Sequence, residues 1–160
     1  MKFIADVMLG RLAKRMRLLG FDVLYDRTLD DNEIIRLSLD QDRVILTRDA
    51  SLASRPLARN RVFISSNFIR EQLEQVISAC SLEAFRPLTR CSECNVSLDP
   101  IAKQDARDLV PCHVYGASDS FLHCPRCERI YWSGTHVRRM ALPLKKSRSN
   151  SFSTGGYSSL

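Results

Sequence analysis

The sequence predicts a three-layer α/β domain with a parallel sheet over residues 1–86, followed by a small cysteine-rich domain over 87–144. Strand-like and helix-like segments alternate with short links in the first part, which implies crossover connections between parallel strands. The run RVILT, residues 43–47, is apolar on both faces, as strands buried within a parallel sheet are. The second part instead holds four of the six cysteines in pairs, separated by polar, turn-rich sequence.

The elements of the first domain follow one another in a regular order. We predict strands over residues 2–5, 22–25, 43–47 and 62–65, and helices over 8–19, 31–40, a short stretch after Asp49, and 67–80. Gly20 stands where a helix ends on glycine, and Asp30 and Glu33 are spaced as a capping box for the second helix. Residues 145–160 are basic and rich in Ser and Gly, so we expect a disordered tail there.

The bulk composition limits the class of protein. The chain has 160 residues with 44% hydrophobic residues, and its net charge of +6 is compatible with a polyanionic partner. No apolar stretch is long enough for a membrane span, and the first apolar run stops at Asp6, unlike a secretory signal. We therefore expect a cytoplasmic protein whose cysteines are reduced thiols or metal ligands.

Two C-x-x-C pairs carry the strongest metal signal. Cys91 and Cys94 form the first pair, and Cys124 and Cys127 form the second. Two such knuckles can surround one tetrahedral ion with four thiolates and leave no open position, which is the pattern of a structural Zn²⁺ site in a zinc ribbon. The spacer of 29 residues between the pairs is longer than usual, and Cys112 and His113 within it are alternative ligands.

Carboxylates follow several predicted strands. Asp6 follows the first strand and Asp49 the third, while Asp30, Asp31 and Glu33 begin the helix after the second. Because parallel strands end at the same edge of the sheet, these acids are expected at one edge, where α/β proteins bind ligands. Gathered carboxylates favour Mg²⁺ or Mn²⁺, which can activate water against a phosphodiester. Each acid alone is better explained as a helix cap, and it is their coincidence at one edge that favours a metal site.

Basic side chains are expected around this edge. Arg11, Lys14, Arg15 and Arg48 are candidates for holding a phosphate chain near the acids, although such a set is also typical of a solvated helix face. The cysteine-rich domain offers a second basic set, formed by Arg90, Arg126, Arg129, Arg138 and Arg139. Both sets are compatible with a nucleic-acid partner.

Four ordered blocks resemble a known family. KFIADVMLGRLAKRMRLLGFDVLY, RVILTRD, RC-x-x-CN and CPRCERIYWSGTH, within residues 1–142, are similar to the Mut-seven C-terminal ribonuclease family. The resemblance implies a PIN-like nuclease domain with a C-terminal zinc ribbon, in which acids at one sheet edge bind divalent metal and cleave RNA. It matches Asp6 and Asp49 to catalytic acids, and Asp31 to the middle acid with Asp30 and Glu33 as rivals.

The same resemblance brings two departures and one further motif. Glu128 stands where such knuckles usually carry glycine, and the region ISSNF offers Ser66 or Asn67 where a fourth acid is common. His136 matches a family motif, and we expect it to have a structural or RNA-facing role.

Three functions remain open from the sequence. The first is a Mg²⁺- or Mn²⁺-dependent ribonuclease, aided by the zinc ribbon in binding RNA. The second is a non-catalytic RNA- or ribosome-binding module on the same fold, in which the acids are caps. The third is a toxin-like nuclease that a partner neutralises.

Overall fold

A computed structural model describes residues 1–134, so His136 and the predicted tail lie outside the described residues. The strands are β1 Lys2–Ala5, β2 Asp22–Leu24, β3 Arg43–Thr47, β4 Arg61–Phe63, β5 Asp99–Ile101, β6 Phe121–His123 and β7 Ile130–Trp132. The helices are α1 Gly10–Leu18, α2 Asp31–Gln41, α3 Ala50–Ser54, α4 Ile69–Ala79 and α5 Cys112–Ala117, with single 3-10 turns at Val7–Leu9 and Lys103–Ala106. None of the helices within this range has the length and apolarity needed to cross a bilayer.

The first four strands form one parallel sheet in the order β2-β1-β3-β4. This confirms the predicted α/β class with a parallel sheet. Phe3 pairs with Val23 on one side and with Val44 on the other, so β1 lies in the interior of the sheet. All four strands therefore end at the same edge, which we call the carboxyl edge.

Helices cover both faces of the sheet. On one face, Phe3 and Leu46 pack with Leu12 and Met16 of α1 and with Val76 of α4 in a buried cluster. On the other face, the alternate strand residues Ile4 and Ile45 pack against α2 and α3. The period of two along β1 and β3 thus divides the apolar side chains between two cores, as a three-layer domain requires.

Several predicted boundaries differ from the structure by one or two residues, and the contacts explain two of these differences. The first helix begins as a 3-10 turn, because Asp6 caps residues 7–9 before the α-helix starts at Gly10. The fourth strand ends at Phe63, two residues before the predicted end, because the following serines hydrogen-bond to side chains of α4. The capping box of Asp30 and Glu33 is present as expected.

The cysteine-rich part contains a separate antiparallel sheet in the order β5-β6-β7. Phe121 packs with Val110 and Val114 in a small third core, and its ring stacks on Tyr115 at 6.3 Å between centroids. The long spacer between the cysteine pairs therefore contributes β5, α5 and most of this core. Those elements explain how the ribbon accommodates so long an insertion.

Candidate active site and metal centre

Asp6 lies at the carboxyl edge and is only 5% exposed. Its Oδ1 accepts a hydrogen bond from the backbone N–H of Met8 at 2.8 Å, and its Oδ2 accepts one from the backbone N–H of Arg48 at 2.8 Å. The hydroxyl of Thr47 donates a further, short hydrogen bond to Oδ2. Three donors thus hold the Asp6 carboxylate in one orientation.

Thr47 connects Asp6 to Asp49. Its Oγ1 donates to Asp6 Oδ2 and accepts a hydrogen bond from the backbone N–H of Asp49 at 2.9 Å. Asp49 caps α3, because its Oδ1 accepts from the backbone N–H groups of Ser51 at 2.7 Å and Leu52 at 3.4 Å. The ends of β1 and β3 are therefore joined through one fully buried hydroxyl group.

The two carboxylates keep unused acceptor capacity. A carboxylate oxygen can accept about two hydrogen bonds. Asp6 Oδ1 has one donor, and Asp49 Oδ2 has none within residues 1–134. These two oxygens are the positions from which the pair can bind a cation, and oxygen ligands of this kind suit Mg²⁺ or Mn²⁺.

The structure does not bring the other predicted acids into this pair. Asp30 and Glu33 are occupied with the capping box at 2.9 Å in each direction. Asp31 forms a salt bridge with Arg55 at 3.1 Å, between α2 and the residue after α3. Within the described residues, the only group of three or more potential ligands close enough to share an ion is formed by cysteines.

Three polar residues at this edge were missed in the sequence. Thr47 has the clearest position. The sequence signal that could have found it is a hydroxyl residue between the apolar part of the strand and the aspartate in LTRD. Asp26 follows β2 and accepts two hydrogen bonds from Thr28. Glu71, in the first turn of α4, accepts a hydrogen bond from the Ser66 hydroxyl at 2.6 Å. Ser66, which with Asn67 stands where a fourth acid is common, thus hydrogen-bonds to a carboxylate, that of Glu71, in the segment after β4.

The predicted basic residues separate into two groups. Arg48 lies at the carboxyl edge, where its guanidinium donates to the Asn67 side chain. The Arg48 Nε is buried and has no hydrogen-bond partner, which is costly for a polar group. Lys14 instead forms a salt bridge with Glu93 at 2.7 Å in the cysteine-rich part, while the Arg11 and Arg15 side chains have no such partner within residues 1–134.

The four cysteines of the two pairs converge on one point. The sulfur atoms of Cys91, Cys94, Cys124 and Cys127 all lie within 4.8 Å of one another. The Cys91 and Cys127 sulfurs are 3.7 Å apart, close to the roughly 3.8 Å edge of a tetrahedron with Zn–S bonds of about 2.3 Å. This geometry fits a structural zinc ribbon, and the alternative ligands Cys112 and His113 lie outside the group.

Each knuckle closes with the same backbone turn. The backbone N–H of Asn95 donates to Cys91 O at 3.0 Å, and that of Glu128 donates to Cys124 O at 2.9 Å. Both residues have a left-handed backbone, with φ of 62° at Asn95 and 60° at Glu128. Glu128, which stands where such knuckles usually carry glycine, is therefore strained, because a side chain disfavours this conformation.

The thiols differ in how readily they ionise. At Cys91, burial opposes ionisation, but hydrogen bonds from the Tyr131 hydroxyl and from backbone N–H groups outweigh it and lower the pKa to about 7. Burial and the neighbouring thiols raise the pKa of Cys94 to about 12. Four thiolates this close together, two of them on buried residues, repel one another without a cation, so the donor set fits Zn²⁺, which binds and deprotonates such ligands.

The first knuckle is docked onto the sheet domain through a buried arginine. Arg17 of α1 is 3% exposed and donates to three backbone carbonyls: Val23 O at 2.9 Å, Ser92 O at 3.0 Å and Glu93 O at 2.8 Å. Burial lowers the pKa of this guanidinium, although nearby thiols and acids oppose that effect and arginine remains charged. The metal centre and the helix that follows Asp6 are therefore connected through one side chain.

A second contact reinforces this docking. The Asn95 side chain donates to Asp22 Oδ1 at 2.8 Å and accepts from the backbone N–H of Val23 at 3.2 Å. Asp22 also forms salt bridges with Arg43 at 2.8 Å and with Arg90 at 3.9 Å. Arg90, expected on a basic face of the ribbon, is instead directed towards the sheet domain.

One comparison with known proteins gives a match. A family model described as Mut7-C RNAse domain matches residues 1–144, which include both the sheet and the four cysteines. Among curated proteins and among solved structures, nothing matches the chain significantly.

Proposed function

Because the chain belongs to the Mut7-C RNAse domain family, we propose that it is a PIN-type ribonuclease that hydrolyses RNA phosphodiester bonds with Mg²⁺ or Mn²⁺. The observation that carries this proposal is the connection of Asp6 to Asp49 through Thr47 at the carboxyl edge. The buried Asp6 carboxylate is tied through one hydroxyl to the residue that carries the second acid, and a divalent cation bound by both would offset their negative charge. Asp31 would join the pair only after leaving Arg55.

The residues take distinct roles in this proposal. Asp6 and Asp49 would hold the metal through Oδ1 and Oδ2 respectively, and Thr47 ties the Asp6 carboxylate to the backbone of Asp49. A metal bound there would polarise the phosphate and lower the pKa of a bound water. Arg48 would contact the phosphate chain, because its guanidinium lies at the same edge and its backbone N–H is already bonded to Asp6. The zinc ribbon, with the exposed Arg126 and Arg129, would extend the RNA contact.

Asp49→Asn is the sharpest test of this site. The asparagine retains an oxygen that can cap α3, so folding is preserved, but it replaces the unbonded Oδ2 with an amide group. Zinc-loaded protein is incubated with mixed-sequence RNA, with and without added Mg²⁺ or Mn²⁺. We expect metal-dependent cleavage that Asp49→Asn lowers on the order of a hundredfold or more.

The matched control is Asp40→Asn, since Asp40 is an exposed acid of α2 that pairs with Arg36. It should cleave like the wild type. Full cleavage by Asp49→Asn, or cleavage that ignores added metal, would remove the two-carboxylate site from the mechanism.

The hydrogen bonds also favour a second candidate, a non-catalytic RNA-binding module. Both Asp6 and Asp49 accept backbone N–H groups, as structural caps do. In that case wild-type protein binds RNA with a steep salt dependence and cuts none under any metal condition. The cleavage assay above therefore separates the two functions directly.

A further inference from the structure

Phe68 has an unusual position at the carboxyl edge. It is the residue before α4, and it is 71% exposed, more than any other aromatic among the exposed large hydrophobic residues. The close aromatic ring pairs within residues 1–134 do not include it, and it packs against none of the three cores. A single exposed apolar residue is ordinary by itself, so the feature that distinguishes Phe68 is its place at the carboxyl edge.

The backbone around Phe68 is held rigidly even though its ring is free. Its N–H donates to the Ser66 hydroxyl at 3.0 Å, and its carbonyl accepts from the backbone N–H of Gln72 at 2.9 Å. The Ser66 carbonyl is in turn bonded to the buried Gln72 side chain at 2.9 Å. The backbone turn that carries the ring is therefore already ordered, which lowers the entropy cost of binding a ligand there.

Phe68 directly follows the contact of Asn67 with Arg48. The Arg48 guanidinium donates to Asn67, its Nε is buried without a partner, and its backbone N–H is bonded to Asp6. Hydrogen bonds thus link Asp6 to Arg48 and Arg48 to Asn67, the residue that precedes Phe68 in the chain. A positive group next to an exposed aromatic ring is the combination that binds single-stranded nucleic acid, with bases stacked on the ring and phosphates near the charge.

We propose that Phe68 stacks on an unpaired base of the substrate while Arg48 contacts the adjoining phosphate, so that the chain selects single-stranded RNA. This inference rests on the proposed function only for the position of the scissile phosphate near Asp6 and Asp49. A paired base inside a duplex has no free face for the ring, which is why the selection is for single strands.

Binding is measured by fluorescence anisotropy with the zinc-loaded full chain and no added Mg²⁺ or Mn²⁺. The probes are a fluorescein-labelled single-stranded RNA of about ten nucleotides, the same RNA with abasic positions, and the corresponding duplex. We expect Phe68→Ala to weaken binding of the intact single strand by roughly ten- to hundredfold, and to change binding of the abasic strand or the duplex little.

Two more substitutions at the same position identify the kind of contact. Phe68→Trp should retain single-strand affinity, while Phe68→Leu, which is apolar but not aromatic, should lose it. Leu39→Ala is the matched control, because Leu39 is an exposed apolar residue, 56% exposed, near the C-terminal end of α2. It should bind all three probes like the wild type.

Several results would overturn the proposal: unchanged single-strand binding by Phe68→Ala, equal losses for single strand and duplex, or no RNA binding by wild type. Its failure is distinguishable from failure of the proposed function. If Asp49→Asn cuts normally but Phe68→Ala loses single-strand binding, the catalytic assignment fails and the stacking contact stands. If Asp49→Asn is inactive and Phe68→Ala binds normally, the catalytic assignment stands and the stacking contact fails.

Discussion

Arg17 joins α1 to the first cysteine knuckle, and Arg17→Met should destabilise both parts of the molecule. Methionine keeps most of the aliphatic packing but leaves three carbonyl groups, on Val23, Ser92 and Glu93, without their donor. Hydrogen bonds from a charged group are worth about 1.5–3 kcal/mol each, so the gross loss is roughly 4–9 kcal/mol. The substitution also removes the desolvation penalty of the buried cation, which offsets several kcal/mol of this loss. The net expected loss is about 2–4 kcal/mol, or a melting temperature lower by roughly 5–15 °C.

The assay is urea unfolding of zinc-loaded protein, followed by two probes. Trp132 is the only tryptophan and lies in β7 of the ribbon, so its fluorescence reports that part, while far-ultraviolet circular dichroism reports mainly the helices. In the wild type we expect coincident transitions. In Arg17→Met the fluorescence transition should move to lower urea and separate from the helical one.

Arg15→Met is the matched control, since Arg15 is in the same helix and its side chain makes no hydrogen bond within residues 1–134. It should change the free energy of unfolding by less than about 0.5 kcal/mol. A loss below about 1 kcal/mol for Arg17→Met, with transitions that still coincide, would refute the view that this arginine docks the ribbon.

Three further predictions concern backbone strain and charge. Gly20→Ala should lower the melting temperature strongly, because Gly20 has φ of 96° and an added Cβ would lie 2.3 Å from a backbone carbonyl oxygen. The control Gly116→Ala should leave the melting temperature unchanged, because Gly116 has open space around it. Glu128→Gly should raise the free energy of unfolding by up to about 1 kcal/mol in urea titrations, since it relieves a left-handed backbone, and a lower stability would contradict the assigned strain. Burial acts to raise the pKa of Asp22, but hydrogen bonds from Arg43 and Asn95 outweigh it and leave the pKa below 3.8. The stability that the ionised Asp22 contributes is therefore complete above that value and is lost as the pH falls through the folded-state pKa. Urea midpoints measured against pH should therefore fall less steeply in acid for Asp22→Asn than for the wild type, and parallel curves would disprove this.

Local patterns predicted the architecture well. The alternation of strands and helices, the capping box at Asp30 and the two cysteine pairs each depend on residues close together in the sequence. These patterns carry their own physical cause, such as the period of a strand or the orphan amides at a helix start. The resemblance to the ribonuclease family is confirmed by the family match.

The partners of individual side chains were harder to predict, because they are remote in sequence. Arg17 reads as part of a basic helix face, although its position four residues after the buried Ala13 was a usable signal that it faces inward. Its partners Ser92 and Glu93 are 75 and 76 residues away. Nothing local indicates that Asp31 pairs with Arg55, or that the Thr47 hydroxyl donates to Asp6, which is 41 residues away. The assignment of catalytic residues therefore stays a prediction until the variants are measured.

The interior position of β1 has a practical consequence for experiments. Lys2 begins the strand at the amino edge of the sheet, and Asp6 follows its other end, so Met1, which is 72% exposed, emerges on the side opposite to the candidate site. An affinity tag, a fluorophore or a surface tether can be attached there without blocking the access of a long polymer to the carboxyl edge. Immobilised protein oriented in this manner would present the carboxyl edge to solution uniformly.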